Sequence, residues 1–290
     1  MKLAFWMLGM PDWPNEEIAR RAAAHGYHGA ALRCEQRDWS RPAAGPFNIA
    51  IGSSMETIDR TRQAFAEFGV EMSTLLCYNT SPRSGGKPAW EHFEREMALH
   101  AELAARLGAP SIRFQVEGPP ADVPWADYLI DIWRAVGRAL DTVPGMTAVA
   151  ENHVARASAG QLLAAAETVG DPRIGVEYSP DHSLVMQEDL TGLIDRYAPY
   201  IHGVCWADRK VVEHELGRFD GRYYHVRYES CPVGEGAIPA AEILDRLAGH
   251  GYAGYVSLKW EKSLSFGHHL PDGETALAHF PGYMRQFGHF

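Results

Sequence analysis

Apolar and polar positions along the chain alternate between two periods. Stretches rich in Ala, Leu, Glu and Arg carry apolar residues every three to four positions and end at a glycine or a turn; a short, nearly continuous apolar run follows each. The helical stretches cover residues 16–24, 55–68, 90–107, 128–140, 158–169, 190–197 and 240–248. The runs that follow them cover 30–33, 70–76, 111–116, 146–150, 174–178, 200–206 and 255–260. Glycine just past a helix, as at Gly69, Gly108 and Gly170, supplies the left-handed residue that turns the chain into the next strand. With the opening run 2–8, eight strands alternate with helices. Continuous apolar strands suit a parallel sheet buried on both faces. Eight such units in 290 residues predict an α/β fold, a single (β/α)₈ TIM barrel spanning residues 1–290. The first and last units echo each other, His25-Gly26-Tyr27-His28-Gly29 against His250-Gly251-Tyr252-Ala253-Gly254. An open doubly wound sheet would carry a glycine-rich phosphate turn after its first strand, and residues 8–14 contain none.

Composition narrows the function classes. Hydrophobic residues at 46% and charged ones at 22% describe a globular chain and exclude disorder. The formal net charge of −10 and the absence of a basic cluster argue against nucleic-acid binding. No apolar run reaches the roughly 20 residues of a membrane helix, and the start, with Lys2 and an early Pro11, does not read as a signal peptide. Cys34, Cys77, Cys205 and Cys231 are scattered without a CxxC pair, as reduced thiols in a cytoplasmic protein would be.

A barrel of this kind places its chemistry at the C-terminal ends of its strands. Strand four ends Arg113-Phe114-Gln115, strand five Glu151-Asn152-His153 and strand six Ser179-Pro180-Asp181-His182. Strand seven begins at His202 and runs on to Cys205-Trp206-Ala207-Asp208-Arg209, and strand eight ends Lys259-Trp260-Glu261-Lys262. Alternation puts Glu151 with His153 on one face, and Lys259 with Glu261. A charge with no role is expensive there. Glu151, Lys259, His153, His182, Asp181 and Glu261 are therefore the candidate proton-moving and charge-stabilising residues. Arg113, Asp208 and Arg209, with the strand-end aromatics Trp6, Trp206 and Trp260, are the candidate substrate contacts. His202, opening its strand, is expected at the barrel bottom, and Cys205 reads as a small buried hydrophobe.

At these residues the chain resembles the xylose-isomerase-like sugar phosphate isomerase/epimerase family of TIM barrels. The resemblance runs from strand one to the tail at 270–287. It is most specific at Glu151-Asn152-His153, at Ser179-Pro180-Asp181-His182, at Pro232-Val233-Gly234-Glu235-Gly236-Ala237-Ile238-Pro239 and at residues 254–262. It implies a divalent metal held by a Glu, an Asp, a His and a Glu on strands five to eight, which polarises a hydroxy-ketone while a carboxylate moves a proton. Position by position, only Glu151 matches. Ser179, Cys205 and Lys259 stand at the other three places, and an acid returns two residues on, at Asp181. A cation about 4 Å from a metal would be unfavourable by about 4 kcal/mol per unit charge at an effective dielectric of 20.

The resemblance and its departures together lead to an isomerase- or epimerase-type enzyme, or a lyase or cyclase derived from one. It would act on a small polyhydroxylated or carbonyl substrate with no cofactor, Lys259 standing in for the metal and stabilising a developing oxyanion. A desolvated Lys259 acting as base or Schiff-base nucleophile is a further option. One alternative keeps a divalent metal (Mn, Mg, Co or Zn) on the shifted ligands Glu151, Asp181, His202 and Glu261. Another is a non-catalytic sugar-binding or partner-supporting descendant. A DNA-repair endonuclease of the related barrel family is excluded, because its dense zinc ligands and basic rim are missing. The segment 207–232, with Tyr223-Tyr224-His225 near its centre, is expected to be a lid or subunit-contact loop. The loop 260–270 with His268 and His269 is expected to act similarly, and a homodimer fits family habit.

Overall fold

The computed structural model describes residues 1–10, 12–34, 47–82, 86–154, 156–213, 217–219, 222–224, 227–262, 267 and 269–290. Eight parallel strands close into a barrel: β1 (Lys2–Trp6), β2 (Gly29–Arg33), β3 (Glu71–Thr80), β4 (Ser111–Gln115), β5 (Thr147–Glu151), β6 (Ile174–Tyr178), β7 (Ile201–Trp206) and β12 (Tyr255–Leu258). Each pairs with its neighbours in the chain, and β12 closes the ring on β1. Around it pack α1 (Asn15–Ala24), α2 (Met55–Glu67), α3 (Gly86–Leu107), α4 (Trp125–Leu140), α5 (Ala159–Val169), α7 (Gly192–Tyr197), α8 (Ala240–Gly249) and α9 (Gly273–Arg285). The predicted (β/α)₈ barrel is thus the observed one. Among the described residues, no helix is long and apolar enough to cross a membrane.

The strands read as continuous apolar runs because both of their faces are covered. One face, including Phe5, Leu32, Ile112, Phe114, Val176, Val204, Trp206 and Leu258, joins the core under the helices. The other face lines the barrel interior, where Trp6, Ala31, Leu76 and Cys205 pack together. Pairing registers place polar groups on that inner face. Leu76 stands beside Arg113, Glu151 beside Glu177, Glu177 beside Gly203, and Cys205 beside Ser257.

Local sequence sets the loops that carry the site. The Ser158 side chain accepts from the Gln161 N–H, and Gln161 answers the Ser158 N–H, so α5 starts with a reciprocal cap just after β5. Two features differ from the sequence reading. A short helix, α6 (Pro180–Val185), follows β6, with Pro180 at its first turn. Between β7 and α8 the chain forms antiparallel pairs: β8 (Asp208–Glu213) with β11 (Arg227–Cys231), and β9 (Gly217–Phe219) with β10 (Arg222–Tyr224). The periodicity missed these strands because their residues are mostly polar. His225 and His268 lie outside the described residues.

Candidate active site

Charged side chains at the barrel mouth form a chain of alternating sign. The Lys259 ammonium donates to Glu151 Oε1 at 3.0 Å, Ser179 Oγ at 2.7 Å and Asp181 Oδ1 at 3.0 Å. Ser179 Oγ donates to Asp181 Oδ1 at 2.5 Å. Arg113 Nη2 pairs with Glu151 Oε2. On the other side Arg209 Nε donates to Asp181 Oδ2 at 3.0 Å, and Arg209 Nη2 lies 3.7 Å from Glu261 Oε2. The order is Arg113, Glu151, Lys259, Asp181, Arg209, Glu261. All but the half-buried Arg209 are buried. Stacked rings support one end: the Arg113 guanidinium lies 5.2 Å from the Trp6 ring and 5.7 Å from that of Tyr78.

His182 lies alongside this chain and is 1% exposed. Its Nε2 is 3.6 Å from Glu151 Oε1 and its Nδ1 is 3.9 Å from Asp181 Oδ2. Among the described residues, neither ring nitrogen has a hydrogen-bond partner. The His153 ring packs on it with centroids 4.2 Å apart, and His153 Nδ1 donates to the Val154 carbonyl. A buried imidazole with both nitrogens bare is costly unless something else meets them.

Burial and charge fix the protonation states. Burial alone would raise the Glu151 carboxyl, but Lys259 and Arg113 hold it below the usual carboxylate range. Asp181 is likewise held well below against burial, with His182, Lys259 and Arg209 around it. Burial opposes the Lys259 charge, yet Asp181 and Glu151 raise its pKa and keep it an ammonium. Burial drives His182 well below its ordinary value and lowers His153, so both rings are neutral at pH 7. Burial raises Glu261 and the Cys205 thiol, whose Sγ lies 3.6 Å from Glu151 Oε1.

Residues 19–285 match the profile of the xylose isomerase-like TIM barrel family. The chain belongs to that family. Solved structures agree on the fold. The D-psicose 3-epimerase of Clostridium cellulolyticum H10 superposes with a TM-score of 0.73 at 12% identity, covering 99% of each chain. The 3-keto-D-glucoside 4-epimerase of E. coli gives 0.71 at 13% identity, again over 99% of each. An IOLI protein with a bound zinc atom gives 0.74 at 14% identity over the full length of both. A search among curated proteins returned no match by sequence.

The family's metal can be tested against the residues present. The resemblance would place such a metal at Glu151, Ser179, Cys205 and Lys259, where the Lys259 ammonium already takes the oxygens of Glu151, Ser179 and Asp181. A hard dication needs several anionic oxygens and no cation among them; this donor set does not fit it. In the shifted set, His202, the second residue of β7, has its ring against Gly175, two residues below Glu177, while Glu261 faces Arg209. Among the described residues, no group of three or more His, Cys, Asp or Glu is placed to hold a metal ion.

The barrel brings together Glu151, His153, Asp181, His182, Lys259, Glu261, Arg113 and Arg209, with Trp6 on the inner face beside Arg113. Three expected substrate contacts lie elsewhere. Trp206 and Trp260 alternate with the inward Cys205 and Lys259, so they face the helices and belong to the outer core; Trp260 Nε1 donates to the Pro271 carbonyl. Asp208 is taken up by backbone: it accepts from the N–H groups of Arg209, Gly234, Gly236 and Ile238, pinning the root of the β8–β11 hairpin. Asp208→Ala is expected to lower stability by about 1–3 kcal/mol, the cost of unmet buried donors. Limited proteolysis within 208–231 should quicken; unchanged cleavage would refute the pin.

The sequence reading missed Glu177 and Arg33, and gave Ser179 only as a lost ligand. Glu177 was legible as a charge inside the apolar run 174–178, two residues from Ser179 and so on the same face. It is buried, and burial and the neighbouring Glu151 push its pKa up to about 8. Arg33, also buried, packs its guanidinium 4.9 Å from the Tyr78 ring and donates to the Tyr78 hydroxyl at 3.2 Å.

Proposed function

We propose that this chain is an enzyme of the isomerase or epimerase type. It moves a proton at a carbon next to a carbonyl in a small polyhydroxylated substrate, without a divalent metal and with Lys259 as the fixed cation. The observation that carries this reading is His182: neutral, with neither nitrogen hydrogen-bonded among the described residues, between two carboxylates that Lys259 keeps ionised. A neutral imidazole can take a proton from the substrate carbon, the two carboxylates hold the imidazolium so formed, and the same ring can return the proton. The structural relatives named epimerases lend the reaction class.

The three Lys259 N–H groups are all engaged in the free protein. A substrate oxygen therefore reaches the ammonium by displacing a partner. Ser179 Oγ is the neutral one of the three and the easiest to lose. Exchanging a hydroxyl for a developing oxyanion strengthens the bond only as charge appears, which favours the transition state. Held as an ammonium, Lys259 is not the free amine that Schiff-base chemistry needs. The buried mouth calls for movement of the 207–232 loop, which we read as a lid. We read the four cysteines, buried and unpaired, as those of a cytoplasmic protein.

The test is deuterium wash-in from D₂O, followed by NMR on a panel of ketohexoses. His182→Gln is expected to lower the rate by about 10²–10⁴-fold. Chelation with EDTA is expected to change nothing. Stoichiometric manganese, magnesium, cobalt or zinc that is lost in Glu151→Ala would overturn the metal-free reading. Tight ketose binding without wash-in would support a non-catalytic descendant, a reading favoured by the saturated Lys259.

A further inference from the structure

Ser179 occupies the N-cap position of α6, yet its side chain makes no cap hydrogen bond. A serine there ordinarily turns its hydroxyl back onto the helix. Here the hydroxyl accepts from Lys259 and donates to Asp181. Something must hold the turn in this orientation, and Asn152 makes the contacts. Its amide is 0% exposed and spends all its bonds on the chain after β6. Oδ1 accepts from the Ser179 N–H at 2.7 Å, while Nδ2 donates to the Ser179 carbonyl at 3.0 Å and to Ser183 Oγ at 3.1 Å. One side chain thus grips both main-chain polar groups of the residue whose hydroxyl bridges Lys259 and Asp181.

The grip is anchored from behind. Ser183 Oγ donates to Glu188 Oε2 at 2.9 Å, and the Glu188 carboxylate accepts from the N–H groups of Ala159 and Gly160 at the start of α5. Glu188 is brought back by a left-handed turn at Gln187, φ 57°, the described non-glycine residue with positive φ. Its own N–H bonds the Ser183 carbonyl at 3.0 Å, closing the end of α6. Strain of this kind persists where the surroundings determine it and concentrates at functional sites.

We propose that Asn152 is a positioning residue: by clamping Ser179 it holds the Ser179 hydroxyl and the Asp181 carboxylate against Lys259, and so sets the geometry of the fixed cation. The proposal rests on the reading of Lys259 as the working cation. Merely satisfying buried backbone would give Asn152 a share in stability and none in the state of Lys259.

The experiment uses the full chain labelled with ¹⁵N-lysine. Lys259, buried and with three acceptors, is expected to give a slowly exchanging ammonium resonance that is missing from Lys259→Met. Asn152→Ala is expected to shift or broaden that resonance and to lower kcat for ketose exchange about 10- to 100-fold, the usual loss when a supporting partner goes, with KM little changed. Ser183→Ala removes the third contact and the link to Glu188 but leaves both Asn152 bonds to the Ser179 main chain, and it is expected to keep the resonance. Asn152→Asp keeps the acceptor for the Ser179 N–H and loses the donor to its carbonyl, so it reports on the clamp if the alanine variant does not fold; its resonance is expected to shift. A wild-type resonance in folded Asn152→Ala or Asn152→Asp overturns the clamp while leaving Lys259 in place. Absence of any Lys259-dependent resonance in the wild type overturns the cation reading itself, and the clamp with it.

Discussion

Lys259→Met is expected to lower stability at pH 7 by about 3–5 kcal/mol, the range for removing one partner of a buried ion pair, and to abolish deuterium exchange. The ammonium sits between two carboxylates that are both buried. Methionine fills the volume of the lysine stem and leaves Glu151 facing Arg113 alone and Asp181 facing Arg209 alone. The pH dependence separates this electrostatic loss from a packing defect. In the wild type both carboxyls have folded pKa values below their unfolded ones. Their contribution is therefore present above the unfolded values and lost as pH falls through the folded ones. Without Lys259 the folded values rise, and the carboxyls take up protons more readily. The stability gap between the two proteins should then narrow from pH 7 to pH 4 in urea unfolding. A gap of constant size would mean that shape, and not charge, made the difference.

Glu177→Gln is expected to do the opposite and raise stability. The Glu177 carboxyl is buried beside Glu151, and a Cβ at Gly203 would stand 2.2 Å from its Oε2, so the neighbouring strand is open there for the acid. Burial and Glu151 push its pKa from 4.5 up to about 8. Between those two values the folded protein holds a proton that the unfolded chain has released. Stability therefore falls as pH rises through this window and levels off above it. At about 1.4 kcal/mol per pKa unit, the penalty at pH 7 is roughly 3 kcal/mol. Glutamine keeps the shape and cannot ionise, so the variant should gain about that much at pH 7 and lose the slope between pH 4.5 and 8. Thermal unfolding across that range measures it. An unchanged slope would mean that Glu177 is already ionised at neutral pH.

Much of the site was legible because a strand end in a parallel barrel is a strong positional constraint. Glu151 and Lys259 were found from charge at the close of an apolar run, and Asp181 and His182 from the turn after β6. The errors came from applying alternation unevenly. The rule that puts Lys259 and Glu261 inside puts Trp260 outside, and it puts Trp206 outside once Cys205 faces in. Asp208 was misread for another reason. An acid near a strand end can meet a substrate or the backbone N–H groups of its own loop, and three of its four donors, those of Gly234, Gly236 and Ile238, reach Asp208 only when residues 232–238 fold back onto it.

By itself the sequence determined the barrel, since strand and helix periods, glycine stops and eight apolar runs are local properties of the chain. It also determined which kinds of charge reach the mouth. Partnership was decided only in three dimensions. Lys259 meets a carboxylate 108 positions away and another 78 positions away, and it takes a serine hydroxyl as its third acceptor. Among the described residues His182 finds no hydrogen-bond partner, while Lys259 and Arg209 take the carboxylates beside it. Side-chain chemistry is written residue by residue, whereas protonation depends on burial and on the distance between charges, and closing the barrel fixes both.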